Sequence, residues 1–425
     1  MDVYHLRYLL SLTFKKIMPI RPIKQLRSFV EDLGVLIVQK RYKKTLALLA
    51  AKKRLRVLFL VNESSKWKMK SLYDLLAQSD LFEPLVVLTP LTSVHKSKEG
   101  DIGYLDSELL YFKKENINII YAYKDKKYLS LKELRPDIVF YEQPWELARN
   151  QAPLYTSKFA LTYYMPYYVS NYGNLNLDIN LRFHKFLYRY YVLNHDWKEL
   201  YKKHAKVDNF CPIGHTQLDN FYLNASTSKQ SYVIYAPHYS FPHVKNLNPV
   251  NYATFLQNHR LILDFAKKHS NLNWVFKPHP KLKASLLKSG FSKEYVEGYY
   301  KQWEAIGISS YNSDYIKFFL DSKALITDSG SFLIEYFCTT KPLIHLLPTY
   351  PLPPPFSPSK KIFDTFYKAY DDVSLLGYLE SILLKDKDPL KEIRLKVLKE
   401  SGLNNGLVAE RILKDLKHIL KGERK

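Results

Sequence analysis

The feature that most constrains this chain is a repeated change from a short apolar run to a helical stretch. Leu55 to Val61 reads LRVLFLV, a run of buried-strand length, and a helical pattern follows at Lys70 to Ala77. Leu85 to Leu88, Ile117 to Tyr121, Asp137 to Tyr141, Phe159 to Thr162 and Tyr190 to Leu193 continue the strand series. Helical stretches at Asp106 to Phe112 and Asp196 to His204 fall between or after them. Strands alternating with helices argue for a parallel sheet covered on both faces.

The pattern loosens from Asn209 to Gln230 and then starts again. Tyr232 to Ala236, a helix near Phe255 to His269, Trp274 to Lys277, Tyr315 to Leu320, Ala324 to Thr327 and Leu343 to Leu346 make a second alternating set. The expected fold is therefore α/β, with two Rossmann-like domains facing a central cleft. The boundaries are a helical extension at 1–54, a first domain at 55–208, a linker at 209–230, a second domain at 231–390 and a helical segment at 391–425. PLPPPFSP, from Pro351 to Pro358, is expected as a surface loop, because proline is excluded from strand and helix interiors.

Charge is concentrated at the ends. Of the net +23, residues 1–56 hold 14 Lys/Arg against 3 Asp/Glu, and residues 391–425 hold 10 against 5. Basic ends on a near-balanced middle suggest a surface for an anionic partner, membrane lipid or a phosphorylated polymer, with a pair of solvated helices as the alternative. No nucleic-acid module accompanies the charge, so nucleic acid is not expected as a partner. Leu26, Phe29, Val30, Leu33, Leu36 and Ile37 recur at helical spacing ahead of Lys40, Arg41, Lys43 and Lys44. Such a helix lies on an anionic bilayer or packs against a domain. Lys15 and Lys16 interrupt the first apolar run too early for a signal peptide, and no run reaches the ~20 residues of a spanning helix. The two cysteines, Cys211 and Cys338, have no CxxC spacing and read as buried thiols. These features point to a cytoplasmic protein, peripheral on the inner face of the plasma membrane.

Three segments carry the candidate chemistry. In ALITDSGSFLIEYF a strand ends at Thr327, a polar turn follows, and a helix starts near Phe332. The first N–H groups of such a helix lack intrahelical partners and, with the helix dipole, make an anion site. Asp328 belongs to this turn, Ser329 and Ser331 offer hydroxyl donors, and Gly330 admits close approach of a phosphate. Glu335, one turn on, is placed to accept from ribose hydroxyls. The alternative for the turn is ordinary helix capping by Ser or Asp. In WVFKPHP a strand runs into His279, clamped between prolines, with Lys277 as a nearby cation. In YAPHYSF a strand end carries His238, with His243 five residues on. All three open onto one sheet edge, the usual place for a ligand in an open α/β sheet. No metal-ligand cluster stands out, so no tightly bound cofactor is expected, and a loosely held Mg²⁺ is left open.

In order and spacing, YAP, KPHP and TDSGS before an apolar helix resemble the C-terminal domain of CDP-glycerol glycerophosphotransferases, GT-B-fold enzymes of teichoic-acid and capsule synthesis. WKMKSLYDLL, FEPLVVLTPL and RPDIVFYEQPW in the first half fit the same group. The resemblance spans about residues 55 to 350. It implies transfer of glycerol phosphate, or a related polyol phosphate, from a CDP-polyol to a hydroxyl of a glycan or lipid-linked acceptor, with release of CMP. The first domain would then be the acceptor domain and the second the nucleotide-donor domain. His279 would contact phosphate or assist proton transfer, Ser329 and Ser331 would hold the pyrophosphate, and Glu335 would grip the nucleotide. Lys277, Thr327, Asp328 and Gly330 complete the donor-binding set.

Two departures stand out. The family's Trp-His-Gly segment, whose histidine is the proposed base, has its counterpart in KFALTYYMPYYVSNYG (Lys158 to Gly173), which lacks histidine. His238 is the substitute candidate. Asp328-Ser-Gly-Ser also resembles the TDSGG turn of UDP-N-acetylglucosamine 2-epimerases, so an epimerase-like enzyme or a nucleotide-sugar glycosyltransferase of the same fold is the alternative.

Overall fold

A computed structural model describes residues 20–90, 106–223, 231–241, 251–310, 315–403 and 405–422. His243, the polar run 224–230 and the first 19 residues lie outside the described residues. The first half is built on β1 (Leu55–Val61), β2 (Phe82–Leu88), β3 (Ile119–Tyr121), a small hairpin β4 (Tyr123–Lys124) and β5 (Lys127–Tyr128), then β6 (Ile138–Tyr141), β7 (Leu161–Tyr164), β8 (Arg189–Val192) and β9 (Phe210–Pro212). Apart from the hairpin these form one parallel sheet ordered β3-β2-β1-β6-β7-β8-β9. The second half holds β10 (Tyr232–Ala236), β11 (Trp274–Phe276), β12 (Gly307–Ser309), β13 (Ser322–Thr327), β14 (Leu343–Leu346) and β15 (Tyr367–Ala369), ordered β12-β11-β10-β13-β14-β15. Both sheets are α/β and Rossmann-like, with the strand order reversing beside their first strand.

The runs that form central strands are buried almost throughout. Every residue of β1 except Arg56 is buried, as are the last four of β10 and all but Lys323 of β13. Helices cover both faces, which is why the strands read as continuous apolar runs rather than alternating ones. One apolar cluster passes from Leu58 and Tyr141 of the first half to Ile234, Phe319 and Leu333 of the second, so the halves share a core.

Several segments depart from the sequence expectation. Residues 210–212, placed in the linker, form the edge strand β9, and Thr216–Leu223 is a helix. A three-residue edge strand with one buried side chain, Phe210, leaves too little period to read. Tyr315 to Leu320 gives a helix, Ile316–Asp321. The end of PLPPPFSP opens the helix Ser357–Phe363, with Pro358 in its first turn, where a missing N–H costs nothing. Pro351 to Phe356 has no regular structure and docks on the first half through Phe356 N–H to Asn171 O, 2.8 Å.

The described parts of both basic ends pack. The helix Ile20–Leu49 buries Val38, Tyr42 and Leu49, and the Tyr42 hydroxyl meets Thr162 Oγ1 at 2.5 Å and Phe186 O at 2.6 Å. Gly34 allows this approach, since a Cβ there would sit 3.1 Å from the Phe186 ring. The same helix turns Phe29, Leu33 and Leu36 outward. The helix Lys391–Ser401 stays with the second half, its buried Arg394 bonded to Thr340 O and paired with Asp388. The helix Val408–Leu420 returns to the first half, where Asp219 accepts from Val408 N and Ala409 N, and Asp415 pairs with Arg189.

Candidate functional site at the cleft

Both sheets point the carboxyl ends of their central strands at the junction between the halves. In the second half β10 ends in Pro237-His238, β11 in Lys277-Pro278-His279, and β13 in Asp328-Ser329. The sequence elements predicted to converge do so. The His238 and His279 rings meet edge to face with centroids 5.0 Å apart, and Tyr239 covers His279 at 4.3 Å. Tyr252 lies across His238 at 5.5 Å and also sits beside Gly330.

The turn after β13 divides the expected donor residues into two groups. Thr327 Oγ1 donates to Ala236 O at 2.6 Å and accepts from Ser329 N at 3.0 Å. Asp328 accepts from His238 N and Thr254 N, both at 2.6 Å, and from Thr254 Oγ1 at 2.9 Å. These two buried side chains hold the loops in place. Burial pushes the Asp328 carboxyl up to about 6, against the pull of those hydrogen bonds. Ser329, at the start of the helix Gly330–Phe337, makes no side-chain cap; its hydroxyl lies 3.2 Å from that of Ser331. The helix start is thus uncapped by the residue best placed to cap it, unlike the ordinary reading of such a turn. Gly330 has no positive φ, and a Cβ there would make ordinary contact with Tyr252 at 3.5 Å. Its backbone does not require glycine.

The two histidines are neutral. Burial lowers His279 to about 3, helped by Lys281 and Lys277, and burial with His279 and Lys281 holds His238 well below the usual histidine range. Lys281 N donates to His279 Nδ1 at 3.1 Å, and Ser240 N donates to His238 Nδ1 at 3.2 Å. Ser240 Oγ also lies 2.7 Å from His238 Nδ1 and can donate to it, so with Nδ1 accepting in both rings each neutral ring carries its proton on Nε2 and offers an N–H donor. That suits both to holding a phosphate oxygen better than to removing a proton.

Glu335 lies deeper than expected. It is 5% exposed and accepts a hydrogen bond from the Tyr315 hydroxyl. Burial raises its carboxyl, opposed by Lys68 and by that hydrogen bond. Lys68 comes from the first half; its Nζ is 3.4 Å from Tyr315 Oη and 5.1 Å from the ring centre. Lys277 Nζ lies 5.6 Å from the same ring. One tyrosine thus gathers a lysine from each half beside a buried carboxylate.

The first half contributes groups that the sequence reading did not single out. Glu142, one residue past β6, accepts from Asn62 N at 2.9 Å, while its Oε2 is buried without a hydrogen-bond partner. Burial pushes its carboxyl up to about 8, moderated by the Asn62 N–H and Lys66. Its signal was its position, one residue past a buried strand, matching Asp328 after ALIT. Asn171 reaches across to donate from Nδ2 to Gly330 O at 3.0 Å, and its Oδ1 accepts from Ser359 Oγ at 2.9 Å. It belongs to the histidine-free stretch Lys158 to Gly173. Among the described residues, no group of three or more His, Cys, Asp or Glu is arranged to hold a metal ion. None of the described helices is long and apolar enough to cross a membrane.

No protein-family model and no curated protein matches the sequence. Solved structures do. The UDP-GlcNAc 2-epimerase from Neisseria meningitidis bound to UDP-GlcNAc is similar over 85% of this chain and 100% of its own, with TM-score 0.55 and 13% identity. The S. aureus MnaA–UDP structure covers 87% of this chain and 98% of its own, at TM-score 0.53 and 13% identity. The wall teichoic acid polymerase TagF covers 93% of this chain and 99% of its own, at TM-score 0.53 and 13% identity. At such identities the likeness is one of fold: two Rossmann-like halves in the GT-B arrangement.

Proposed function

We propose that this chain is a transferase of cell-surface glycan synthesis that uses a nucleotide-diphosphate donor in the cleft. The specific reading is transfer of glycerol phosphate, or a related polyol phosphate, from a CDP-activated donor to an acceptor hydroxyl. The observation that carries it is the uncapped start of the helix Gly330–Phe337 with Ser329 and Ser331, close to the two Nε2–H donors of His238 and His279. In the reaction the acceptor oxygen bonds to the β-phosphorus, the bond to the CMP oxygen breaks, and the hydroxyl proton passes to the released CMP phosphate. The helix N–H groups and serine hydroxyls offset charge growing on CMP, while the histidines hold the transferred phosphate. Thr327 and Asp328 keep the loops in register, and Lys277 and Lys68 supply positive charge. Glu335, through Tyr315, links the nucleotide-binding side to Lys68. Any Mg²⁺ would be held chiefly by the donor's own phosphates.

Nucleotide-sugar transfer or epimerisation in the same cleft is the second reading. It is favoured by Glu142, a buried carboxyl with a raised pKa in the first half, and by the similarity to structures carrying UDP and UDP-GlcNAc. Incubation with labelled CDP-glycerol and, separately, UDP-sugars tests both, with and without acceptor and with and without EDTA. CMP release is expected from a CDP-polyol. If no CDP-polyol yields CMP, the first reading fails. Peripheral attachment to an anionic membrane is supported by the outward stripe of the helix Ile20–Leu49.

A further inference from the structure

The stretch without its histidine builds something else. Tyr168 Oη donates to Asp178 Oδ1 at 2.9 Å and Ser170 Oγ donates to Asp178 Oδ2 at 2.8 Å. The three line a narrow cavity beyond the carboxyl ends of β7 and β8, walled also by Tyr164, Trp197 and His215. It has room for one water-sized group. The Trp197 side chain is 2% exposed, and its indole N–H is buried with no acceptor. A buried donor without a partner is costly to keep unless something accepts from it. His215 is already committed: Nε2 donates to Pro166 O at 2.7 Å and Nδ1 accepts from Gln217 N at 3.2 Å. The cavity is therefore bordered by a carboxylate acceptor, by an indole whose N–H has no acceptor, and by aromatic rings. That combination suits a single hydroxyl, which both donates and accepts.

Its position gives the pocket a role. Ser170 precedes Asn171, whose amide touches Gly330 at the start of the donor helix. Tyr172 then packs on Tyr252, the ring beside His238. We infer that Asp178 and Trp197 form a subsite for one terminal hydroxyl of a polyol or sugar acceptor, delivered beside the donor helix. This rests on the transferase reading for its purpose, though not for its binding chemistry. Asp178 is a positioning residue here, holding one hydroxyl of the acceptor while the donor site does the transfer.

The test reads binding directly. Selective ¹⁵N labelling of the five tryptophans, with Trp197→Phe to assign the resonance, allows titration with glycerol, glucose and inorganic phosphate. Polyol or sugar is expected to shift the Trp197 indole N–H saturably, and Asp178→Asn to abolish that shift. Ser170→Ala, which removes the hydroxyl that orients Asp178, should weaken it several-fold and serves if Asp178→Asn does not fold. An indole signal unmoved by polyol and sugar, or moved only by phosphate, overturns the subsite. So does unchanged binding in Ser170→Ala. CMP release without acceptor is measured separately, so failure of the donor reading leaves a different trace from failure of this pocket.

Discussion

Glu142 and Asp328 occupy the same position in the two sheets. In the first, Tyr141 lies opposite Leu60, and the next residue, Glu142, accepts from the N–H of Asn62. In the second, Thr327 lies opposite Ala236, and the next residue, Asp328, accepts from the N–H of His238. Each half thus fastens the loop after its first strand with a buried carboxyl from the strand beside it, where the strand order reverses. Asp328 has its oxygens shared among three donors, whereas Glu142 keeps one oxygen unpartnered.

This difference gives a pH prediction. A carboxyl raised on folding contributes stability that is full below its unfolded value and lost as pH rises through its folded value. For Glu142 the window runs from the usual glutamate range to about 8. Glu142→Gln keeps an acceptor for Asn62 N and cannot ionise. Its Tm relative to the native chain should rise between pH 5 and 8.5, by an amount equivalent to roughly 2–4 kcal/mol. Calorimetry across that range checks it, and a constant difference would remove the ionisation argument.

The limits of β1 and β10 were legible because each is a dominantly apolar run of five to seven residues, broken only by Arg56 in β1 and ended by Asn62 and Pro237. Convergence of His238, His279 and the 327–331 turn was legible too, because successive parallel strands must present their carboxyl ends on the same side. Contacts between the halves were not. Asn171 and Gly330 are 159 residues apart, and nothing local in VSNYG marks Asn171 as a bridge. The helix Val408–Leu420 is amphipathic enough to require a partner, but its sequence does not say that the partner is the first half. Glu335 reads as a ribose ligand one turn into the helix, and nothing local marks Tyr315 and Lys68 as its neighbours.

His279 should tolerate glutamine better than alanine. With its proton on Nε2, the ring acts as a hydrogen-bond donor, a role that a glutamine amide partly retains. His279→Ala is expected to lower kcat/KM for the donor by roughly 10²–10³-fold, the usual loss of one preorganised donor to a developing charge. His279→Gln should lose about tenfold less. Equal losses would assign His279 to proton transfer instead.

Gly330→Ala separates folding from ligand approach. The backbone there has no positive φ, and the nearest atoms to the new methyl group are those of the Tyr252 ring, at an ordinary 3.5 Å. Alanine also restricts the unfolded chain, so stability should change by less than about 1 kcal/mol, with a gain as the expected direction. A phosphate drawn to the helix N–H groups would meet that methyl group. Nucleotide-induced stabilisation should correspond to about tenfold weaker binding, since a hydrogen bond to a charged group is worth roughly 1.5–3 kcal/mol. Unchanged nucleotide affinity would move the phosphates away from this turn.

The helix Ile20–Leu49 makes the membrane proposal testable without disturbing the site. Phe29, Leu33 and Leu36 are 65%, 42% and 63% exposed, and Lys40, Lys43 and Lys44 continue along the same side. At a hundred degrees per residue these six positions fall within about a third of the helix circumference, opposite the packed Val38, Tyr42 and Leu49. An apolar stripe leading into lysines matches a bilayer carrying anionic headgroups, with each Lys near the surface adding about 1 kcal/mol at moderate salt. The triple change Phe29→Ser, Leu33→Ser and Leu36→Ser should abolish co-sedimentation with phosphatidylglycerol vesicles, with little change in Tm because none of the three is buried. Changing the three lysines to glutamine should weaken binding and flatten its salt dependence. Vesicle binding that survives both sets would detach this helix from the membrane, leaving it a packing element of the first half alone.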